Sequence, residues 1–163
     1  MSLKIGAIFS STSADFGAAT VLDRFQQISP KVLLVTTDYG YNGKEIDCLE
    51  KISEIVAGLP TLVKVVSIGS KPNPYLSFDN WLSATDGSEE ISVKGSFSRP
   101  GFILFSSGTT GKPKCIVHSA AGVLLKTLSE QRYHLDIRGG DKVFYFTTCG
   151  WMMWNWLVAS LAT

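Results

Sequence analysis

The sequence predicts an α/β fold built on a mainly parallel sheet flanked by helices. Short apolar segments of strand composition alternate with segments of helical periodicity along the N-terminal part of the chain. Strand–helix alternation of this kind is typical of units that form parallel sheets. The 163 residues, of which 45% are hydrophobic and 18% charged, suit one globular domain of ordinary composition.

The first predicted strand, Ile5 to Phe9, is followed by the polar run Ser10 to Ser13, which supplies turn and capping residues. A helix is predicted after Asp15, because large apolar side chains recur there at helical spacing. A second strand follows Pro30, over Lys31 to Val35.

A second amphipathic helix is predicted from Gly43 to Val56, with its apolar residues on one face and its charges elsewhere. The next strand covers Leu62 to Val66. Residues 69–100 then change in character, with several glycines and prolines and a helix-like patch around Trp81. They are interpreted as a connection over the surface, within a single domain 1–163.

The second half of the chain predicts two strands around a polar loop, residues 101–105 and 115–117. A helix follows from Gly122 to Tyr133, with three leucines (Leu124, Leu125 and Leu128) on one face. The aromatic and β-branched run Lys142 to Thr147 predicts a further strand.

Charge and cysteine content exclude several classes of function. A net charge of +1 gives no electrostatic basis for binding nucleic acid or an acidic membrane. The three widely spaced cysteines predict no disulfide framework, and reduced, mostly buried thiols are expected. Neither C-x-x-C nor H-E-x-x-H occurs, so no metal site is predicted. A cytosolic location is the default expectation.

The segment Trp151 to Ala162 is apolar on all sides and predicts a helix buried inside a larger protein. It is much shorter than the ~20 residues that a membrane span requires. Exposed apolar surface of this extent invites aggregation. We therefore expect the chain to be a piece of a longer protein.

The most informative segment is Phe105 to Lys114, FSSGTTGKPK, which holds four hydroxyls, two glycines and two lysines. Glycines allow the backbone to adopt positive φ, and successive N–H groups then form an anion-binding concavity. Hydroxyls donate hydrogen bonds, and lysines add positive charge. The composition indicates a loop that binds nucleotide polyphosphate.

Other phosphate motifs do not fit this loop. Gly108 and Gly111 are separated by two residues and Pro113 follows Lys112, so it is not a Walker A sequence. G-x-G-x-x-G and G-x-S-x-G are also absent. An ordinary turn between two strands remains the alternative on composition alone.

The ten-residue segment resembles the phosphate loop of the adenylate-forming superfamily, which includes acyl-CoA synthetases, luciferases and peptide-synthetase adenylation domains. Within that superfamily, four further segments are similar to acetoacetyl-CoA synthetases: Ser10 to Gly17, Val21 to Phe25, Pro113 to Ser119 and Phe146 to Trp156. The resemblance implies that residues 1–163 are part of an N-terminal adenylating domain. The rest of that domain and the C-terminal domain would then lie outside this chain.

The resemblance also implies a two-step reaction with acetoacetate, ATP and CoA as substrates and Mg²⁺ as a cofactor. Acetoacetate would attack the α-phosphate of ATP, and the CoA thiol would then displace AMP from acetoacetyl-AMP. The matching residues imply that the loop binds the β- and γ-phosphates. Lys114 is favoured over Lys112 as the lysine whose positive charge faces them. The implied cofactor-binding residues are Ser106, Ser107, Gly108, Thr109, Thr110, Gly111, Lys112 and Lys114.

No complete catalytic set is predicted in this chain, because the superfamily's other nucleotide motifs and its adenylation lysine cannot be located before Thr163. Trp151 occupies a position that the resemblance places near the acyl pocket, where an indole would suit a small acid. Packing in the core is an equal alternative for Trp151 and the favoured one for Trp154 and Trp156. Cys115, Cys149 and His118 are interpreted as packed residues rather than catalytic ones.

Three alternatives remain open: a synthetase for another short-chain acid, a non-catalytic interaction module, and an α/β domain without a nucleotide site. The chain alone is expected to be inactive, with the missing part of the same enzyme as its partner.

Overall fold

The computed structural model describes residues 2–84, 91–106 and 111–163. These residues form two compact units. Unit 1 contains residues 2–13, 91–106 and 114–163, and unit 2 contains residues 14–84 and 111–113. Within the described ranges, no helix combines the length and apolar character needed to cross a bilayer.

Unit 2 is organised around a three-stranded parallel sheet of order β1-β4-β5. Strand β1 is Val32–Thr36, β4 is Lys64–Ile68 and β5 is Leu76–Ser77. The β1–β4 ladder sets Leu34 opposite Val66, a completely buried residue. The predicted parallel pairing of the strands near residues 31–35 and 62–66 is therefore confirmed.

The helices of unit 2 are α1 (Ala18–Phe25), α2 (Leu49–Ala57) and α3 (Phe78–Ser83). Helices α1 and α2 contact one another, and helices in both regions were predicted from their periodicity. Helix α3 includes Trp81, and the Ser77 hydroxyl caps it by accepting the Asn80 N–H. The buried apolar residues of the unit are Ala18, Val21, Phe25, Leu33, Cys48, Ile52, Ile55, Leu59 and Val66.

The predicted start of the second helix at Gly43 is wrong. An antiparallel hairpin, β2 (Asp38–Tyr41) and β3 (Lys44–Asp47), precedes α2. Its two turn residues, Asn42 and Gly43, both have positive φ, at 49° and 73°. Asn-Gly is the preferred pair for this type of two-residue hairpin turn, whose twist matches that of the flanking strands.

Unit 1 contains the antiparallel pair β6 (Pro100–Phe105) and β7 (Cys115–Ser119), followed directly by α4 (Ala120–Tyr133). The Ser119 hydroxyl caps α4 by accepting the Gly122 N–H. Helix α5 (Met152–Ala159) and a 3₁₀ turn (Ser160–Ala162) complete the unit. The predicted strand–loop–strand–helix order and the terminal helix are confirmed. Leu161 is nevertheless 90% exposed.

Two predicted strands are wrong. Residues 5–9 contain a turn, because Gly6 has a φ of 80° and its N–H bonds to the Leu3 carbonyl; only Phe9 makes an isolated bridge, to Phe102. Residues 142–147 are irregular, with Phe146 86% exposed. A strand requires a ladder partner, and none of the described residues pairs with this run.

The face of α4 that carries the three leucines is not its most buried one. Leu124 and Leu125 are exposed, whereas Thr127 and Gln131 are buried. Gln131 is compatible with burial because both ends of its amide are paired: Nε2 donates to the Trp156 carbonyl at 2.8 Å, and Oε1 accepts from the Thr163 hydroxyl at 2.9 Å.

Candidate functional site

The base of the Ser/Thr/Gly loop, residues 106–114, is closed by two hydrogen bonds between its end residues. The β6–β7 ladder runs to Phe105 opposite Cys115. Beyond it, the Ser106 N–H donates to the Lys114 carbonyl at 3.0 Å, and the Lys114 N–H donates to Ser106 Oγ at 3.1 Å. Oγ acts here as an acceptor, so its own proton can still be donated to a ligand.

Lys114 follows Pro113 at the end of the loop, and its side chain is exposed. An ammonium group on a flexible stem at this position can reach an anion held above the strand ends. The predicted role of Lys114, to place a positive charge near the phosphates, is compatible with this placement and stays a prediction.

Gly111, Lys112 and Pro113 belong to unit 2 and are held to α1. Lys112 Nζ lies 3.2 Å from Asp23 Oδ1, and the Gln27 side-chain amide donates to the Pro113 carbonyl at 2.9 Å. Both charged side chains of the ion pair are exposed, so the pair contributes at most ~1 kcal/mol. An anion could therefore compete with Asp23 for Lys112.

Gly111 has a φ of 99°, which L side chains rarely adopt. Among the described residues other than its chain neighbours, no heavy atom lies within 4 Å of the position that a Cβ would occupy. The backbone conformation, and not lack of space, is what favours glycine here. The other predicted phosphate-binding residues, Ser107, Gly108, Thr109 and Thr110, lie outside the described residues.

Strand β7 holds two of the residues interpreted as packed. His118 is half-buried opposite Phe102, and Cys115 is half-buried opposite Phe105. Of the three free cysteines, only Cys48 is buried. The expectation of mostly buried thiols is therefore wrong for Cys115, which is the first residue of β7, and for Cys149, which lies in a turn before α5.

Trp151 precedes α5 and borders a hollow of about 300 Å³. The indole is 53% exposed. Aromatic and apolar residues line the hollow together with two threonines, which suits a small ligand that has both an apolar and a polar part. Its lining residues are Tyr145, Phe146, Thr147, Thr148, Trp151 and Met153.

Long-range contacts of the run Ser10 to Ser13 were missed by sequence reasoning, which assigned the run to turns and caps. The Ser10 hydroxyl donates to the Ile103 carbonyl of β6 at 2.8 Å. The Ser11 hydroxyl donates to the Cys149 carbonyl at 2.6 Å, and the Cys149 thiol donates to the Thr12 carbonyl at 3.1 Å. The only sequence signal was the unbroken run of hydroxyls, because these contacts span 93 to 138 residues.

Unit 2 has a polar cluster of its own, which lies at the carboxyl ends of β1 and β4. The Asp38 carboxylate accepts hydrogen bonds from the Thr37 hydroxyl at 2.5 Å and from the Ser70 N–H at 2.9 Å. These bonds stabilise the charged form and lower the pKa of Asp38. Lys71 lies 2.8 Å from Glu45, whose hydrogen bond and charge raise the pKa of Lys71.

A protein-family model described as "AMP-binding enzyme" matches residues 2–162. The chain is 46% identical to the acetoacetyl-CoA synthetase of Mus musculus, an alignment that covers 98% of this chain and 26% of the mouse protein. It is 44% identical to the acetoacetyl-coenzyme A synthetase of Rhizobium meliloti (strain 1021), over 97% of this chain and 25% of that protein.

The solved structure of acetoacetyl-CoA synthetase from Streptomyces lividans matches 98% of this chain with a TM-score of 0.89 and 40% sequence identity. The match covers 25% of that structure, so the chain spans about a quarter of the relatives that it resembles. The predicted α/β fold is confirmed by this likeness. The chain belongs to the family of AMP-binding enzymes.

Proposed function

We propose that this chain is part of an acetoacetate–CoA ligase, which joins acetoacetate to CoA at the expense of ATP. The observation that carries the proposal is similarity along nearly the whole chain to proteins named acetoacetyl-CoA synthetase, at 40–46% identity in the three comparisons above. A chance likeness of the ten-residue loop would not extend to both ends of the chain.

The proposed reaction has two steps that share one intermediate. A carboxylate oxygen of acetoacetate attacks the α-phosphorus of ATP, and the bond to pyrophosphate breaks. The thiol sulfur of CoA then attacks the acyl carbon of acetoacetyl-AMP; AMP leaves and the thiol proton is released. Charge builds up on phosphate oxygens in the first step, so positively charged and N–H donors placed around them lower the barrier.

Three described residues of the loop each have a property that suits phosphate binding. Ser106 has a hydroxyl proton to donate, Gly111 has the backbone conformation of a tight loop, and Lys114 supplies an exposed ammonium group. We assign Ser106, Gly111 and Lys114, with Ser107, Gly108, Thr109 and Thr110, to the β- and γ-phosphates. Lys112 contributes only after exchanging Asp23 for a phosphate oxygen.

We assign Mg²⁺ to the ATP phosphates. Within residues 2–84, 91–106 and 111–163, no group of three or more His, Cys, Asp or Glu side chains could hold a metal ion. Mg²⁺ commonly binds through substrate phosphates and one or two carboxylates. The carboxylate would come from the part of the relatives that this chain does not span.

The acid is assigned to the hollow beside Trp151. Its volume of about 300 Å³ is at the lower end of the range for ligand pockets, which favours a short acid over a long-chain one. Trp151 would close the apolar end of the pocket, and the hydroxyls of Thr147 and Thr148 would face polar atoms of the substrate.

The proposal also assigns this chain to the N-terminal adenylating domain of the longer protein, with 1–163 inactive by itself. A cytosolic location stays a prediction. The first test is acetoacetate-dependent exchange of pyrophosphate into ATP, measured with the full-length protein and with the 163-residue chain. We expect exchange by the full-length protein only; exchange supported better by acetate or propionate would identify another short-acid synthetase.

Lysine substitutions test the site itself. Lys114→Ala is expected to reduce exchange by at least about tenfold, since a charge-assisted hydrogen bond contributes ~1.5–3 kcal/mol. Lys112→Ala is expected to change it less, because Lys112 already pairs with Asp23. Lys94→Ala removes an exposed lysine of unit 1 and serves as the control. Unchanged kinetics for Lys114→Ala would argue for an α/β domain without a nucleotide site here.

A further inference from the structure

We propose that Ser11 is a positioning residue for the acid: its hydroxyl holds the wall of the hollow beside Trp151 against strand β6. The inference rests on the proposed function for the identity of the ligand. Its geometric part, a hydroxyl tether between two distant segments, rests on the structure alone.

One side of the tether is anchored to β6, the strand that leads into the Ser/Thr/Gly loop. The Phe9 N–H donates to the Gly101 carbonyl at 2.8 Å, and the Ile103 N–H donates to the Phe9 carbonyl at 3.0 Å. The Ser10 hydroxyl adds a third bond, to the Ile103 carbonyl at 2.8 Å. These bonds place Phe9 and Ser10 alongside the strand as a short parallel addition.

The other side of the tether is the wall of the hollow. The Ser11 hydroxyl donates to the Cys149 carbonyl at 2.6 Å, and the Cys149 thiol donates back to the Thr12 carbonyl at 3.1 Å. Cys149 directly follows Thr148 and lies two residues before Trp151, which both line the hollow. The Trp151 N–H donates to the Thr148 carbonyl at 3.1 Å, so residues 148–151 form a single backbone turn.

The wall needs such a tether because it has no regular structure of its own. Residues 141–151 are described throughout and contain neither helix nor strand. A segment without a ladder or a helix has few backbone bonds to fix its position, and its distant side-chain contacts therefore matter more. Ser11 and Thr12 supply two of these contacts from one point of the chain.

The function of the tether follows from what lies on each side. Strand β6 positions Ser106 at the base of the proposed phosphate site, and Cys149 positions Trp151 at the proposed acid site. The hydroxyl of Ser11 therefore sets the acid pocket relative to the strand that carries the nucleotide. Binding of the acid should depend on Ser11, whereas binding of ATP should not.

The experiment compares Ser11→Ala with two matched variants in the full-length protein that contains this chain. Ser11→Thr keeps the hydroxyl donor. Ser10→Ala removes one serine hydroxyl from the adjacent residue, but that hydroxyl bonds to β6 and not to Cys149. If the alanine variant does not express, Ser11→Cys replaces it, because cysteine is close to serine in size and a weaker donor.

We expect Ser11→Ala to raise the KM for acetoacetate about two- to tenfold, the range that corresponds to the loss of one neutral hydrogen bond. The KM values for ATP and CoA and the thermal midpoint should change little. Ser11→Thr should restore the acid KM to within about twofold. Ser10→Ala should raise the acid KM less than Ser11→Ala does, because the two backbone bonds of Phe9 still hold this segment to β6. Hydrogen exchange of the peptide 143–153 should be faster in Ser11→Ala than in the other two variants.

Two results would overturn the inference. One is an equal rise in acid KM for Ser10→Ala and Ser11→Ala, which would indicate a general effect on packing. The other is that Ser11→Ala leaves the KM for acetoacetate unchanged, whether or not the KM for ATP or CoA changes. If the wild-type protein shows no acetoacetate-dependent exchange of pyrophosphate into ATP, the proposed function is wrong. Hydrogen exchange of the peptide 143–153 would still decide whether Ser11 holds the wall of the hollow.

Discussion

Ser106 and Lys114 are joined by a reciprocal pair of hydrogen bonds: the Ser106 N–H donates to the Lys114 carbonyl, and Ser106 Oγ accepts the Lys114 N–H. The second bond ties a side chain to the backbone across the base of the loop. The same serine thus shapes the loop and, under the proposed function, contacts a phosphate.

Ser106→Ala is therefore expected to raise the KM for ATP in the full-length protein. The loss of one hydrogen bond to the backbone corresponds to about two- to tenfold, and a lost phosphate contact would add to it. Steady-state kinetics at varied ATP measure the effect. Ser98→Ala, which removes an exposed hydroxyl of the same unit, is the control. An unchanged KM for ATP would contradict the assignment of Ser106.

Gly101→Ala is expected to destabilise the protein. A Cβ added at Gly101 would lie 2.5 Å from the Cβ of Ala120 and 2.7 Å from its Cα, and backbone atoms cannot move aside cheaply. Overpacking of this kind costs about 1–3 kcal/mol or more. Urea unfolding measures it. Gly139→Ala is the matched control, because no atom of the described residues, apart from its chain neighbours, lies within 4 Å of its added Cβ. Equal stability of the two variants would contradict the prediction.

Gln131→Leu is expected to lower the free energy of unfolding by about 1–3 kcal/mol. The substitution replaces the buried amide with an apolar side chain, and it leaves the carbonyl of Trp156 and the hydroxyl of Thr163 without their partner. Thr163→Ala removes only one of these groups and should cost less. Thermal unfolding of both variants checks the order, and a reversed order would refute it.

Asp38 should make part of the stability depend on pH. The Thr37 hydroxyl, and next the Ser70 N–H, hold the pKa of Asp38 below its ordinary value of 3.8 in the folded state. A carboxyl group with a lowered folded pKa stabilises the protein fully above its unfolded pKa, and this contribution is lost as the pH falls through the folded pKa.

The wild type should therefore be more stable than Asp38→Asn near neutral pH, and the difference should shrink as the pH falls below about 4. Denaturant unfolding from pH 7 to pH 2.5 measures it. Glu54→Gln, a change to an exposed carboxylate on α2, controls for the loss of one charge. A difference that does not vary with pH would show that Asp38 acts through shape alone.

Sequence pattern predicted the elements that depend on local order. The apolar runs near Lys31 and Leu62 and the helical periodicity after Asp15 correspond to observed elements, since each pattern repeats within a few residues. The helix predicted over Gly43 to Val56 corresponds to α2 only in its second part. The same reasoning failed for residues 5–9 and 142–147, whose strand-like composition has no partner to form a ladder. It also missed the Asn42–Gly43 turn inside an apparently helical pattern.

The candidate site divides in the same way. The phosphate-type loop was recognisable from residues 105–114, because its chemistry depends on consecutive glycines, hydroxyls and lysines. The pairing of Lys112 with Asp23 and of Ser11 with Cys149 was not, because each depends on segments that meet only in the folded chain. Composition and spacing thus indicated the loop, and its resemblance to known sequences pointed to the family. Only the tertiary structure shows that Lys112 is already paired, through a contact with Asp23 that spans 89 positions of the sequence. It likewise shows that the Ser11 hydroxyl holds the wall beside Trp151, through a contact with Cys149 that spans 138 positions.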